Sequence, residues 1–284
     1  GKNDLMEFLK KWYNFSYDLC SLILKVDQGD VFMSGHSHWA TIKRKKGASD
    51  AKRGQVYTRL AREIVMAARE GGGDPESNFR LRIAVDKARS QNMPKDSIER
   101  AIKRGTGELK EGNVVIEEIT YEGYGPQGVA LMIECVTENR NRTVAELRHN
   151  LSRSGGTLGE AGSVAWQFKR ISYFSIPAEK ADFDKVFELA LEGGADDVSQ
   201  DEDTIEIFAP VESYKTMLNA LRSAKITPEE ATLRFIPNTE MDLTTDQTLQ
   251  VMRCIENIED LDDVQNVYSN LRISQEAMTA FEED

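Results

Sequence analysis

The sequence predicts an α+β protein of several domains: an N-terminal three-helix bundle followed by two ferredoxin-like α+β domains. Three observations lead there. A chain of 284 residues is longer than one ordinary domain core. Between Gly54 and Gly105, apolar residues recur at three- and four-residue spacing, the period of helices that bury one face. Beyond Gly112, short extended runs alternate with helical stretches, a pattern of sheets backed by helices.

Taken in order, residues 1–32 read as an appendage, with Met33 a natural start and Gly1 a processed end. Leu5, Phe8, Leu9, Trp12 and Phe15 would line one face of a helix but carry no chemistry. The first thirty residues hold five acids and no arginine, which argues against a mitochondrial presequence. The apolar run Leu19–Val26 is broken by Ser21 and Lys25 and falls short of the ~20 residues that a membrane helix needs.

Ser34–Arg53 reads as a loop, SGHSHWATIKRKKGASDAKR. A helix follows, with Val56, Leu60, Ile64 and Ala67 on its apolar stripe. Arg59, Arg62 and Arg69 fall on the opposite side. Gly71-Gly72-Gly73-Asp74-Pro75 ends it. A second helix would bury Leu81, Ala84, Val85 and Ala88, and a third Ile98, Ala101 and Ile102. Pro94 starts the third, Asp96 and then Lys103 and Arg104 suit its dipole, and Gly105 is placed just beyond it as a left-handed cap.

Strands are expected over Val114–Tyr121 and Val129–Val136, then a helix over Arg142–Ser152 and extended runs over Ser163–Phe168 and Ile171–Ile176. Next come a helix at about 180–192, a strand Thr204–Phe208, a helix at 212–224 and a strand Ala231–Ile236. A last helix at about 244–258 precedes a closing strand, Val264–Ile273.

Charge is divided sharply along the chain. Residues 34–110 hold 18 Lys/Arg against 9 Asp/Glu, while residues 111–284 hold 14 against 34. A basic head on an acidic body suits a head that approaches phosphates. Cys20, Cys135 and Cys254 are scattered and odd in number, so a reducing cytoplasm is expected rather than a disulfide framework.

Enzyme motifs fail one by one. His36 and His38 lack a third nearby zinc ligand. Gly35-His36-Ser37-His38-Trp39 has tryptophan where a nucleophile elbow requires glycine. Gly71-Gly72-Gly73 lacks the Gly-Lys-Ser/Thr of a P-loop. His149 lies in an arginine-rich helix without a partner carboxylate pattern. No catalytic residue, metal or cofactor is expected.

Residues 34–53 suit nucleic acid instead. His36, His38 and Trp39 immediately precede Lys43, Arg44, Lys45, Lys46, Lys52 and Arg53, so stacking groups adjoin phosphate-binding ones. Six such contacts would cost roughly a thousandfold in affinity between low and physiological salt. Trp39 fits a core anchor as well as a stacking platform, and the basic run fits a solvated arm as well as an interface.

The segment MSGHSHWATIKRKKGASDAKRG, with YTRLAREI, GGGDPESN, NMPKDSIERAIKRGTGE, YEGYGPQGVALMIECVTENRNRT and GGTLGEAGSVAWQF further on, closely resembles the YebC family. That family includes the mitochondrial translational activator of cytochrome c oxidase subunit I. The likeness runs from about Met33 to Ile273. It implies a helical domain over 33–110, an α+β domain over 111–170 plus 237–284, and a further α+β domain over 171–236 inserted into the second. It also implies a cytoplasmic, RNA-binding translation factor that works on the ribosome and relieves stalling at consecutive prolines. Its partners would be large-subunit rRNA and peptidyl-tRNA, with no membrane. The family has long carried the label of transcriptional regulator too, so a DNA-binding regulator is the alternative. His38 stands where the family often has lysine, and Phe79 where it often has proline. No dimerisation stripe or helix-turn-helix spacing stands out, so a monomer is expected. The expected nucleic-acid-binding set is His36, His38, Trp39, Lys43, Arg44, Lys45, Lys46, Lys52, Arg53, Arg59 and Arg62.

Overall fold

A computed structural model describes residues 50–109, 116–201 and 203–282; the expected appendage lies outside them. Helix α1 (Asp50–Gly71) buries Leu60, Ile64 and Ala67 of the expected stripe, with Val56 partly buried and Val65 added to the core. Helix α2 (Phe79–Ser90) closes on the same core through Leu81, Ala84, Val85 and Ala88. Asn78 sets the corner between them. Its Oδ1 accepts the Leu81 N–H and caps α2, while its Nδ2 donates to the carbonyls of Ala67 and Gly72.

Helix α3 (Lys95–Gly105) follows Pro94 and completes the bundle with Ile98 and Ala101. Gly105 belongs to this helix and is not its left-handed cap; Gly107 takes the positive φ of 76°. Packing explains the shift. A Cβ on Gly105 would lie 2.5 Å from the Val65 carbonyl oxygen, so only glycine lets α3 approach α1 this closely.

Strands β1 (Glu117–Tyr124) and β2 (Ala130–Thr137) form a hairpin, registered from Glu117↔Thr137 to Tyr124↔Ala130. Helix α4 (Arg140–Arg153), capped by Asn139, leads to the short strand β3 (Thr157–Leu158), which pairs with β1. The chain then builds a second sheet from β4 (Phe168–Pro177), α5 (Phe183–Glu192), β5 (Asp197–Gln200), β6 (Thr204–Pro210), α6 (Tyr214–Ser223) and β7 (Glu230–Pro237). It returns through α7 (Thr245–Glu259), β8 (Val264–Ser269) and α8 (Gln275–Glu282).

Both sheets are antiparallel, ordered β3-β1-β2-β8 and β5-β6-β4-β7. The second has the split β-α-β-β-α-β order of ferredoxin-like domains. The first keeps its hairpin in the middle and receives β8 on the far side of β2. Leu131, Ile133, Leu147, Leu151, Val251 and Ile255 form the core between the first sheet and helices α4 and α7. Tyr268 and Phe235, with ring centroids 5.6 Å apart, join the two sheets through a smaller cluster around Ala130, Met132 and Phe168.

Several boundaries differ from the sequence reading. The two runs expected at 163–168 and 171–176 resolve into a 3-10 turn, Ala165–Gln167, and the single strand β4, because β7 pairs without a break from Phe168↔Pro237 to Ser175↔Glu230. Strand β8 stops at Ser269 rather than Ile273, since the Asn270 side chain accepts the Ala130 N–H at 2.9 Å and turns the chain. Helix α8 then buries Met278 and Phe281 in the core of the first sheet. Among the described residues, no helix is long and apolar enough to cross a membrane.

Candidate nucleic-acid interface

His36, His38, Trp39, Lys43, Arg44, Lys45 and Lys46 lie outside the described residues; Lys52 and Arg53 fall within α1. Arg59 and Arg62 are described, and the structure corrects the picture of an open arginine face. An Arg59 Nη2 donates to the Glu259 carbonyl, an Arg62 Nη1 donates to the Asp262 carbonyl, and Gln55 reaches the Asp260 carbonyl at 3.0 Å. These acceptors sit at and just beyond the C-terminal end of α7, where unpaired carbonyls and the helix dipole favour cations. Arg69 is engaged as well, donating to the Ile116 carbonyl at 2.8 Å. The arginine face of α1 therefore seats the bundle on the α+β body.

Asp263 is the centre of that seam. Its side chain is 1% exposed, and Arg62 Nη2 lies 2.8 Å from Oδ1. Arg142 Nη2 donates to both oxygens at 2.8 Å, and Thr143 and Thr137 donate to Oδ2 at 2.8 and 3.0 Å. Burial alone would push this carboxyl up. The hydrogen bonds from Arg142, Thr143 and Thr137, with the charge of Arg62, outweigh it and hold the group below the usual aspartate range. One carboxylate thus ties together α1, β2, α4 and the approach to β8.

Most cations of residues 54–109 are likewise engaged within the fold. Of the eleven Lys/Arg in residues 54–109, nine have a carboxylate or carbonyl partner within the fold. Arg80 pairs with Glu70, Lys87 with Glu63 and Arg104 with Glu138. The six cations of residues 34–53 face a single acid, Asp50, in that stretch. In sequence, these twenty residues carry five of the nine surplus positive charges of residues 34–110.

A second organised feature escaped the sequence reading. Glu122, on β1, is buried and accepts the backbone N–H groups of Gly162, Val164 and Ala165 at 2.6, 2.7 and 2.8 Å. Burial opposes its charge, but these three donors hold it below the usual glutamate range. The glycine-rich loop is fixed by this carboxylate. At its end Trp166 stands 73% exposed, its indole N–H already donated to the Ser163 carbonyl. In sequence, a buried strand acid of this kind is not distinguishable from a surface glutamate.

Cys135 and Cys254 are buried free thiols, and burial pushes Cys135 up to about 12. Among the described residues no cluster of His, Cys, Asp or Glu could hold a metal ion.

Comparison with known proteins agrees with this architecture. Residues 37–108 match the model of the TACO1/YebC protein N-terminal domain, and residues 116–271 match that of the TACO1/YebC second and third domain. A probable transcriptional regulatory protein of Acidithiobacillus ferrooxidans is 52% identical over 250 residues, covering 88% of this chain and 99% of the relative. One of Geotalea uraniireducens, with the same description, is 50% identical over 246 residues, covering 87% and 98%. The crystal structure of a conserved hypothetical protein from Aquifex aeolicus superposes with a TM-score of 0.70 at 40% identity, covering 80% of this chain and 93% of that one.

Proposed function

Because this chain belongs to the TACO1/YebC family, we propose that it is a cytoplasmic, ribosome-associated translation factor that binds rRNA and tRNA and relieves stalling at consecutive prolines. One observation carries the reading: in the sequence residues 34–53 hold six cations against one acid, while the arginines further along α1 anchor the bundle to an acidic body. That distribution suits a tip entering folded RNA while the body holds its angle.

In this reading Lys43, Arg44, Lys45, Lys46, Lys52 and Arg53 bind phosphates of large-subunit rRNA or peptidyl-tRNA, and His36, His38 and Trp39 pack or stack beside them. Arg59 and Arg62 act from behind, fixing the helix that carries the tip. Acceleration comes from positioning the peptidyl-tRNA, not from a general base. Proline needs such help because its ring restricts the backbone around it.

The test is a toeprint on a message encoding a proline run, in a reconstituted system without elongation factor P. The protein should clear the stall, and a variant with Lys43–Lys46 replaced by alanine should not. A stall that persists at saturating protein defeats the proposal.

A DNA-binding transcriptional regulator is the second reading, and the descriptions carried by the bacterial relatives favour it. It requires an operator bound at least about a thousandfold more tightly than random duplex.

A further inference from the structure

Helix α5 turns its buried face, Val186 and Ala190, into the second sheet's core. Its outer side carries two parallel rows. Phe183, Phe187 and Leu191 recur at four-residue intervals, and Asp184, Glu188 and Glu192 run beside them, one position on. Phe187 is 40% exposed and Leu191 57%, and the half-buried Phe183 ring sits 5.9 Å from that of Phe187. All three acids are exposed, and among the described residues none of them carries an ion pair.

Two features make this face unusual. Acids spaced four apart on one helix repel each other. Apolar side chains in a row leave a stripe that water wets poorly. The surroundings strengthen the first feature. Residues 182–203 contain nine acids and one cation, Lys185. This stretch includes β5, one of the two edge strands of the second sheet.

We propose that this face of α5 docks a basic, amphipathic segment of another protein. Apolar side chains of that segment would cover Phe187 and Leu191, while its lysines or arginines would meet Asp184, Glu188 and Glu192. The charge excludes the other occupants. Phosphate backbones and anionic lipid surfaces are repelled by the acidic stretch. A second copy of this chain would bring two acidic rows together. The face lies on the inserted sheet, away from the basic segment 43–53 in sequence, so the inference stands independently of the ribosomal reading.

The test uses the full chain and a synthetic amphipathic peptide with leucines on one face and lysines on the other, followed by fluorescence anisotropy. The parent should bind, and the F187S/L191S variant should bind roughly tenfold or more weakly, as expected when apolar anchors are removed. The D184N/E188Q/E192Q variant should lose most of the salt dependence. Both variants should melt with the parent, since the altered side chains are exposed. Equal binding by parent and F187S/L191S overturns the proposal. So does a parent dimer in sedimentation that F187S/L191S dissolves.

Discussion

Arg62 and Asp263 are 201 positions apart in the chain, yet Nη2 of the first sits 2.8 Å from Oδ1 of the second. The pair is the electrostatic half of the joint between the helical bundle and the body. The apolar half is the packing of Ile116 and Val136 into the bundle core.

Replacing Asp263 with alanine leaves Arg62 and Arg142 aimed at a site with no counter-charge. Removing one partner of a buried ion pair typically costs about 3–5 kcal/mol. Chemical denaturation should report a loss of that size, with D263N losing less because its carbonyl oxygen still accepts from a threonine hydroxyl. A D263A variant as stable as the parent removes the carboxylate from the joint.

Arg59 and Lys45 should behave differently although both are cations of the head. Alanine at Arg59 removes a contact to the Glu259 carbonyl and should lower stability by about 1–3 kcal/mol, while leaving the salt dependence of RNA binding unchanged. Alanine across Lys43–Lys46 should do the reverse. Four lost phosphate contacts should flatten the slope of log affinity against log salt by about 3, with an unchanged melting point.

Glu122→Gln puts an amide NH2 against backbone N–H donors of the glycine-rich loop. A loss of about 1–3 kcal/mol is expected at neutral pH, read from the melting midpoint. The pH dependence has a definite sign. The folded-state pKa of Glu122 is lowered, so its contribution is complete above about 4.3, the usual unfolded value, and fades as pH falls through the folded one. The gap between parent and E122Q should therefore narrow in acid; a gap constant across that range counts against an ionised Glu122.

Cys135 and Cys254 should resist alkylation in the native protein. Burial raises both thiols, that of Cys135 to about 12, which leaves little thiolate to react. Mass spectrometry before and after unfolding distinguishes this from labelling at the native stage.

The helices of the bundle were legible because Leu60, Ile64 and Ala67 repeat at the helical period and Pro94 marks a start. Gly105 was misplaced because a glycine near a helix end serves equally as a cap or as a close crossing, and only the Val65 carbonyl decides between them. Strands β3 and β5 have two and four residues, too few for an alternating pattern to emerge. Helix α8 was hidden because Ile273 extends the apolar run beyond β8. Charge partition was visible in sequence, but the partners of Arg59 and Arg62 were not. They come from residues about 200 positions away, and no local spacing encodes such a contact.

The pairing Phe168↔Pro237 has a practical corollary. The chain enters the second sheet and leaves it on neighbouring strands, which lie about 4.8 Å apart. The whole excursion between these two residues is thus a cassette with adjoining ends. A linker of a few residues could bridge the excision, and a foreign module with similarly adjoining termini could be grafted in its place.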